Sequence, residues 1–191
     1  MMKIAIIDNY DSFTYNIVHL VNSIIKGEAD VFRNDKLNPE ILKSYDGLIL
    51  SPGPGIPDEA GLLKNIIGKY TRKISIFGVC LGMQAIAEVF GGTLRNLPGV
   101  FHGVATEIIP SRPVHQLFKN MPPWFMAGRY HSWIVNRDDL PDCLAITAID
   151  NDGEIMALAH KEYNVCGVQF HPESVLTPQG KKIMVNWLGQ E

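Results

Sequence analysis

Cysteine is scarce. Cys80, Cys143 and Cys166 make an odd count with no Cys-x-x-Cys spacing, which argues against a disulfide framework and against a zinc site. Such usage points to a reducing, cytoplasmic setting. No apolar run approaches the roughly 20 residues of a membrane span. The apolar part of Met1-Met2-Lys3-Ile4-Ala5-Ile6-Ile7-Asp8 is too short for a secretory signal and reads instead as a first strand. Charge of neither sign dominates: the formal net charge is −3, so there is no basic footprint for nucleic acid and no polybasic stretch for an anionic membrane. Repeats, low-complexity tracts and linker-like segments are also missing, so one domain over residues 1–191 is expected.

What is present is an ordinary globular composition, 46% hydrophobic and 19% charged. In the first half, strand and helix patterns alternate. Lys3–Ile7 reads as a strand. Residues 12–25 carry Phe13, Ile17, Leu20, Val21 and Ile24 at helical spacing. Ala29–Phe32, Gly47–Ser51 and Ile74–Val79 read as further strands. Asn38-Pro39-Glu40 reads as a helix start, with a cap, a first-turn proline and an acid. Leu62, Leu63, Ile66, Ile67 and Tyr70 mark one helix, and Gly82–Phe90 another. This βαβα order predicts an α/β fold: an open, largely parallel sheet with helices on both faces. The second half changes to short alternating segments, Val104–Ile109, Cys143–Ile149, Glu154–His160 and Val165–Phe170, separated by turn signals. Antiparallel strands extending the sheet are expected there. Thr177-Pro178 then predicts a capped final helix burying Ile183, Met184, Trp187 and Leu188.

The chemistry concentrates at strand ends. Gly78-Val79-Cys80-Leu81-Gly82, between a strand and a helix, is the cysteine counterpart of the G-x-S-x-G nucleophile elbow. The helix N-terminus favours a thiolate there, and the Leu81 N–H points where an oxyanion would form. On this pentapeptide alone, Cys80 reads equally well as a small buried hydrophobe. A nucleophile needs a base and the base an orienting group. Of the six histidines, His19 lies mid-helix and His115 and His160 have no suggestive context. His171 ends a strand pattern and is followed by Pro172-Glu173, close enough for Glu173 to fix its tautomer. Ser51-Pro52-Gly53-Pro54-Gly55 lacks the Gly-Lys-Ser/Thr of a P-loop and fails G-x-G-x-x-G, because Asp58 occupies the last glycine position. As a rigid turn it suits a second oxyanion donor, or simply a stiff loop. Cys143, Cys166, Trp124, Trp187 and the methionines read as packing.

Taken together, "LSPGPG", "GVCLGMQ" and "GVQFHPES" resemble the class I, triad-type glutamine amidotransferases, in their order and rough spacing. "IDNYDSFTYNIV" and "GRYHSWIV" are similar to the small subunits of the chorismate-aminating synthases, those of anthranilate and of aminodeoxychorismate. The resemblance implies a flavodoxin-like sheet with an elbow cysteine. By it, Cys80 attacks the amide of glutamine, His171 moves the proton, and Glu173 orients the imidazole. Backbone N–H groups of Gly53 and Leu81 hold the oxyanion within the Gly53-Pro54-Gly55 turn, and Gln84 with the Ser132-Trp133 backbone grips the α-amino and α-carboxylate groups. Ammonia then passes to a chorismate-using large subunit, the implied partner. No cofactor or metal is implied on this chain; the magnesium dependence belongs to the large subunit.

Three departures stand out against that pattern: Met83 where many relatives carry histidine, Trp133 in place of leucine, and Val104 in place of lysine. None touches the triad; Trp133 and Val104 are expected at the pocket rim or the partner surface. Within the class, an anthranilate-forming and an aminodeoxychorismate-forming partner are not separated. A stand-alone γ-glutamyl hydrolase or cysteine peptidase with the same triad, and a non-catalytic scaffold, are the other classes the residues admit.

Overall fold

A computed structural model describes residues 2–189; Met1, Gln190 and Glu191, which the expected 1–191 domain includes, lie outside them. The strands are β1 (Ile4–Asp8), β2 (Asp30–Arg33), β3 (Gly47–Leu50), β4 (Ser75–Val79), β5 (Leu94–Asn96), β6 (Val104–Pro110), β7 (Phe125–Arg129), β8 (Trp133–Val135), β9 (Leu144–Ile149), β10 (Ile155–His160) and β11 (Val165–Val168). The α-helices are α1 (Thr14–Asn22), α2 (Leu63–Tyr70), α3 (Leu81–Val89) and α4 (Gly180–Leu188). Among the described residues, nine strands form one sheet in the order β2-β1-β3-β4-β11-β10-β9-β6-β7, and β5 pairs with β8 separately. Strands β2, β1, β3, β4 and β11 run parallel, and the remainder of the sheet is antiparallel.

Alternation within fully buried strands explains the two-sided core. Ile4 and Ile6 of β1 enter a cluster with Ile17 and Val21 of α1 and Ile183, Met184, Trp187 and Leu188 of α4. Ala5 and Ile7 face the opposite way, toward Leu63, Ile66 and Ile67 of α2 and Ala85 and Ile86 of α3. Both faces of each central strand are apolar, as parallel sheets covered on both sides require. Among the described residues, no helix is long and apolar enough to cross a membrane.

Several local expectations change. The first helix is the shorter Thr14–Asn22. The Asn38 cap does form, its Oδ1 accepting from Glu40 N at 3.0 Å, but it opens a 3-10 helix, Pro39–Ser44. Thr177 does not cap α4, which starts at Gly180. Its hydroxyl donates instead to the carbonyl of His171 (2.6 Å) and accepts from Gly128 N (3.0 Å). Trp124 and Met126, read as packing residues, are 52% and 39% exposed. Cys166 is buried and Cys143 half-buried, both free thiols. Strands β5 and β8 are three residues each, too short for alternation to show.

Candidate active site

The topology puts two strand ends side by side. Strands β4 and β11 are parallel neighbours, with Val79 opposite Val168, so the residues that follow each emerge at the same edge. Cys80 follows β4, and its N–H donates to Val168 O at 2.8 Å. Its backbone sits at φ 52°, ψ −104°, a conformation that L residues rarely adopt and that aims the side chain off the sheet. The flanking glycines are required by space. A Cβ on Gly82 would lie 2.5 Å from Leu50 O, and one on Gly78 2.5 Å from the Gly82 carbonyl carbon. α3 can therefore start directly over β3 and β4.

His171 lies three residues beyond β11 and is 2% exposed. Its N–H donates to Gly128 O at 2.9 Å, and Thr177 holds its carbonyl. Nδ1 meets Glu173 Oε1 at 2.6 Å, with the Glu173 side chain fully buried. Nε2 and the second Glu173 oxygen are buried with no hydrogen-bond partner among the described residues. Phe13 and Tyr130 pack edge-on against the ring at 5.4 and 4.8 Å between centroids. Burial opposes a charged imidazole here, but the neighbouring Cys80 sulfur and the hydrogen bond and charge of Glu173 outweigh it, and the pKa is pushed up to about 10. The ring thus carries its proton at neutral pH, next to the thiol.

That shift has a sign that can be measured. Between the ordinary 6.5 and about 10, the native ring keeps a proton that the unfolded chain has lost. The stabilisation is whole below pH 6.5 and drains away as pH rises through about 10. Urea midpoints are expected to fall across that window. His171→Gln is expected to flatten the fall, and an unchanged slope would contradict the assignment.

In front of Cys80 lies a pocket of about 190 Å³ lined by Gly53, Pro54, Gly55, Leu81, Gln84, Ser132 and Trp133, together with Val100, Phe101, His102, Tyr130 and His131. Every substrate-binding residue expected from the sequence lines it. His171 and Glu173 do not line this pocket, although Cys80 does. Asn9 braces the Gly53 turn: its N–H donates to Ser51 Oγ (2.9 Å) and its Nδ2 to Ser51 O (2.8 Å). A Cβ on Gly53 would strike Leu81 Cδ2 at 2.6 Å and Asn9 O at 2.8 Å, so this turn approaches α3 as closely as a backbone can. Among the described residues, no cluster of three or more His, Cys, Asp or Glu is placed to hold a metal ion. The "Glutamine amidotransferase class-I" family model matches residues 5–190.

The chain belongs to the class-I glutamine amidotransferases.

This amidotransferase is 45% identical to the anthranilate synthase component 2 of Azospirillum brasilense, over 97% of this chain and 94% of that one. It is 43% identical to the aminodeoxychorismate/anthranilate synthase component 2 of Bacillus subtilis, over 97% and 95%. Against the bifunctional protein TrpGD of Thermotoga maritima, identity is 42%, but the chain spans only 32% of that protein. In structure it is similar to a candidate GMP synthase subunit from Thermoplasma acidophilum, with a TM-score of 0.87, 26% identity, and coverage of 99% of this chain and 93% of that one.

Some of the amidotransferase site escaped sequence reasoning. Gln169 donates to Cys80 Sγ, and Arg129, His131 and Asp150 form a buried polar group beside the pocket. Gln169 and Arg129 sit inside quoted motifs, so their positions were visible while their contacts were not. Of the three departures, Met83 is buried in the core, Trp133 lines the pocket, and Val104 is 45% exposed and does not line the pocket.

Proposed function

We propose that this chain is the glutaminase component of a chorismate-aminating synthase, most closely of the anthranilate-forming type. The observation that carries the reading is a strained Cys80 on the pocket wall, at the end of a strand whose parallel neighbour leads into a buried His171–Glu173 pair. Similarity to components 2 of anthranilate synthases over nearly the whole chain supports the partner class. The whole of residues 1–191 acts as one cytoplasmic domain in this reading.

Cys80 Sγ attacks the side-chain carbonyl carbon of glutamine, and a tetrahedral oxyanion forms. The N–H groups of Gly53 and Leu81, which donate to no acceptor among the described residues, stabilise it. His171 gives its proton to the departing nitrogen, the C–N bond breaks, and ammonia leaves behind a γ-glutamyl thioester. His171 then takes a proton from water, which attacks the thioester and releases glutamate. Glu173 holds the imidazolium throughout. Gln84 Oε1, which accepts no hydrogen bond among the described residues, suits the α-ammonium, and the Ser132-Trp133 backbone suits the α-carboxylate. Ammonia is delivered to the large subunit.

Mixing the chain with chorismate, Mg²⁺, glutamine and either an anthranilate-type or an aminodeoxychorismate-type large subunit from the same source tests this. Anthranilate fluorescence with only the first is the expected result. Product with both large subunits would mark a shared component, the reading favoured by the Bacillus subtilis relative. No product with either, alongside hydrolysis of γ-glutamyl substrates by the chain alone, would replace the proposal with a stand-alone hydrolase.

A further inference from the structure

A buried polar chain connects the Arg129–Asp150 ion pair to the sulfur of Cys80, and the donors along it are fixed. Arginine can only donate. Arg129 Nη1 donates to Asp150 Oδ2 at 2.7 Å, and Arg129 Nε donates to His131 Nε2 at 3.1 Å. His131 Nε2 is therefore the bare nitrogen, and the ring proton sits on Nδ1, which donates to Trp133 O at 3.1 Å. That carbonyl can only accept, and it also receives Gln84 Nε2 at 2.8 Å. The same Gln84 amide donates to Gln169 Oε1 at 3.2 Å. Gln169 is thereby turned so that its own Nε2 approaches Cys80 Sγ, at 3.4 Å. Gln169 is wholly buried, so water does not compete for that donor.

We propose that Gln169 is a catalytic residue: its side-chain N–H donates to Cys80 Sγ and stabilises the thiolate, while Gln84 and the Trp133 carbonyl hold the amide in its donating orientation. The inference rests on Cys80 being the nucleophile. A hydrogen bond to the ionised sulfur is stronger than one to the neutral thiol, so it draws the equilibrium toward the reactive form. It acts without itself lining the pocket that Gln84 shares with Cys80. Gln84 thus has two tasks, with its oxygen left for substrate and its nitrogen fixing Gln169.

Gln169→Met removes the donor with little change of volume, and Gln169→Leu is a second apolar replacement. The probe is iodoacetamide, whose iodide is displaced by the thiolate. Mass spectrometry of the Cys80 peptide follows the reaction from acid to alkaline pH and separates it from half-buried Cys143. Expected is an upward move of the alkylation midpoint and about a tenfold slower reaction at neutral pH, with the circular dichroism unchanged. A wild-type midpoint in either folded variant overturns the proposal. Should neither variant fold, the wild-type protein decides: the Gln169 side-chain amide resonance must titrate together with Cys80, and a flat response overturns it. Alkylation is read without glutamine. A chain that hydrolyses no glutamine yet loses thiolate on Gln169→Met keeps this inference and loses the amidotransferase mechanism, and the reverse outcome does the opposite.

Discussion

Cys80→Ala is expected to lower glutamine-dependent product formation by about 10⁴-fold or more, because no other side chain in the pocket can form the thioester. His102 and His131 are the pocket's other nitrogen nucleophiles by type. Burial and the Arg129 charge push the His131 pKa down to about 3, and its bare nitrogen is already committed to Arg129. Activity with ammonia supplied in place of glutamine should survive the substitution, since the large subunit then needs no glutaminase. The assay is product formation with each nitrogen source at saturating chorismate. Retained glutamine-dependent activity would remove Cys80 from the mechanism. Equal loss with both nitrogen sources would instead point to a failure of assembly.

Asp150→Asn is expected to cost about 3–5 kcal/mol of folding stability, because it strands a buried guanidinium. Arg129 is 1% exposed and Asp150 4%. Burial pulls the Arg129 pKa down, and the Asp150 carboxylate is the chief group holding the charge in place. Asparagine keeps an oxygen for the N–H groups of Asp152 and Glu154, which Asp150 Oδ1 now accepts at 3.0 and 2.8 Å. The turn therefore survives while the charge pair is lost. The Arg129 face that stacks 3.7 Å from the Phe101 ring would remain desolvated without its partner. Chemical denaturation would read the loss directly, and a change below about 1 kcal/mol would show that solvent reaches the pair after all.

The residues proposed to do the chemistry stand at places the sequence itself marks. Cys80 and His171 each follow a strand pattern, and strand ends are where open α/β sheets gather ligands. Gly53 and Gly82 were legible for a related reason: a glycine in a turn at such an edge marks a place where backbone must come close. The links between distant segments were not legible. Gln169 reads as one polar residue in an apolar strand, and nothing local says that its amide bridges Gln84 and Cys80. Arg129 was hidden for a different reason, since no strand pattern marks residues 125–129 and an arginine there gives no sign of burial. It becomes a core residue only because Asp150 arrives from β9's far end. Thr177 followed by proline matches a helix cap locally, yet the demand of the His171 carbonyl for a donor wins.

The seat of β11 between β4 and β10 also governs the life of the chain before it is finished. Residues 75–79 leave the ribosome long before residues 165–168, so the edge of β4 waits without a neighbour while the intervening strands are made. During that interval Cys80 has neither His171 nor Gln169 beside it. On the proposed mechanism, activation of Cys80 therefore waits for β11, the last strand in sequence, to pair with β4, a long-range closure of the slow kind. A nascent chain would then be spared an activated thiol, and its exposure would be the unpaired edge of apolar β4, the kind of edge that invites aggregation.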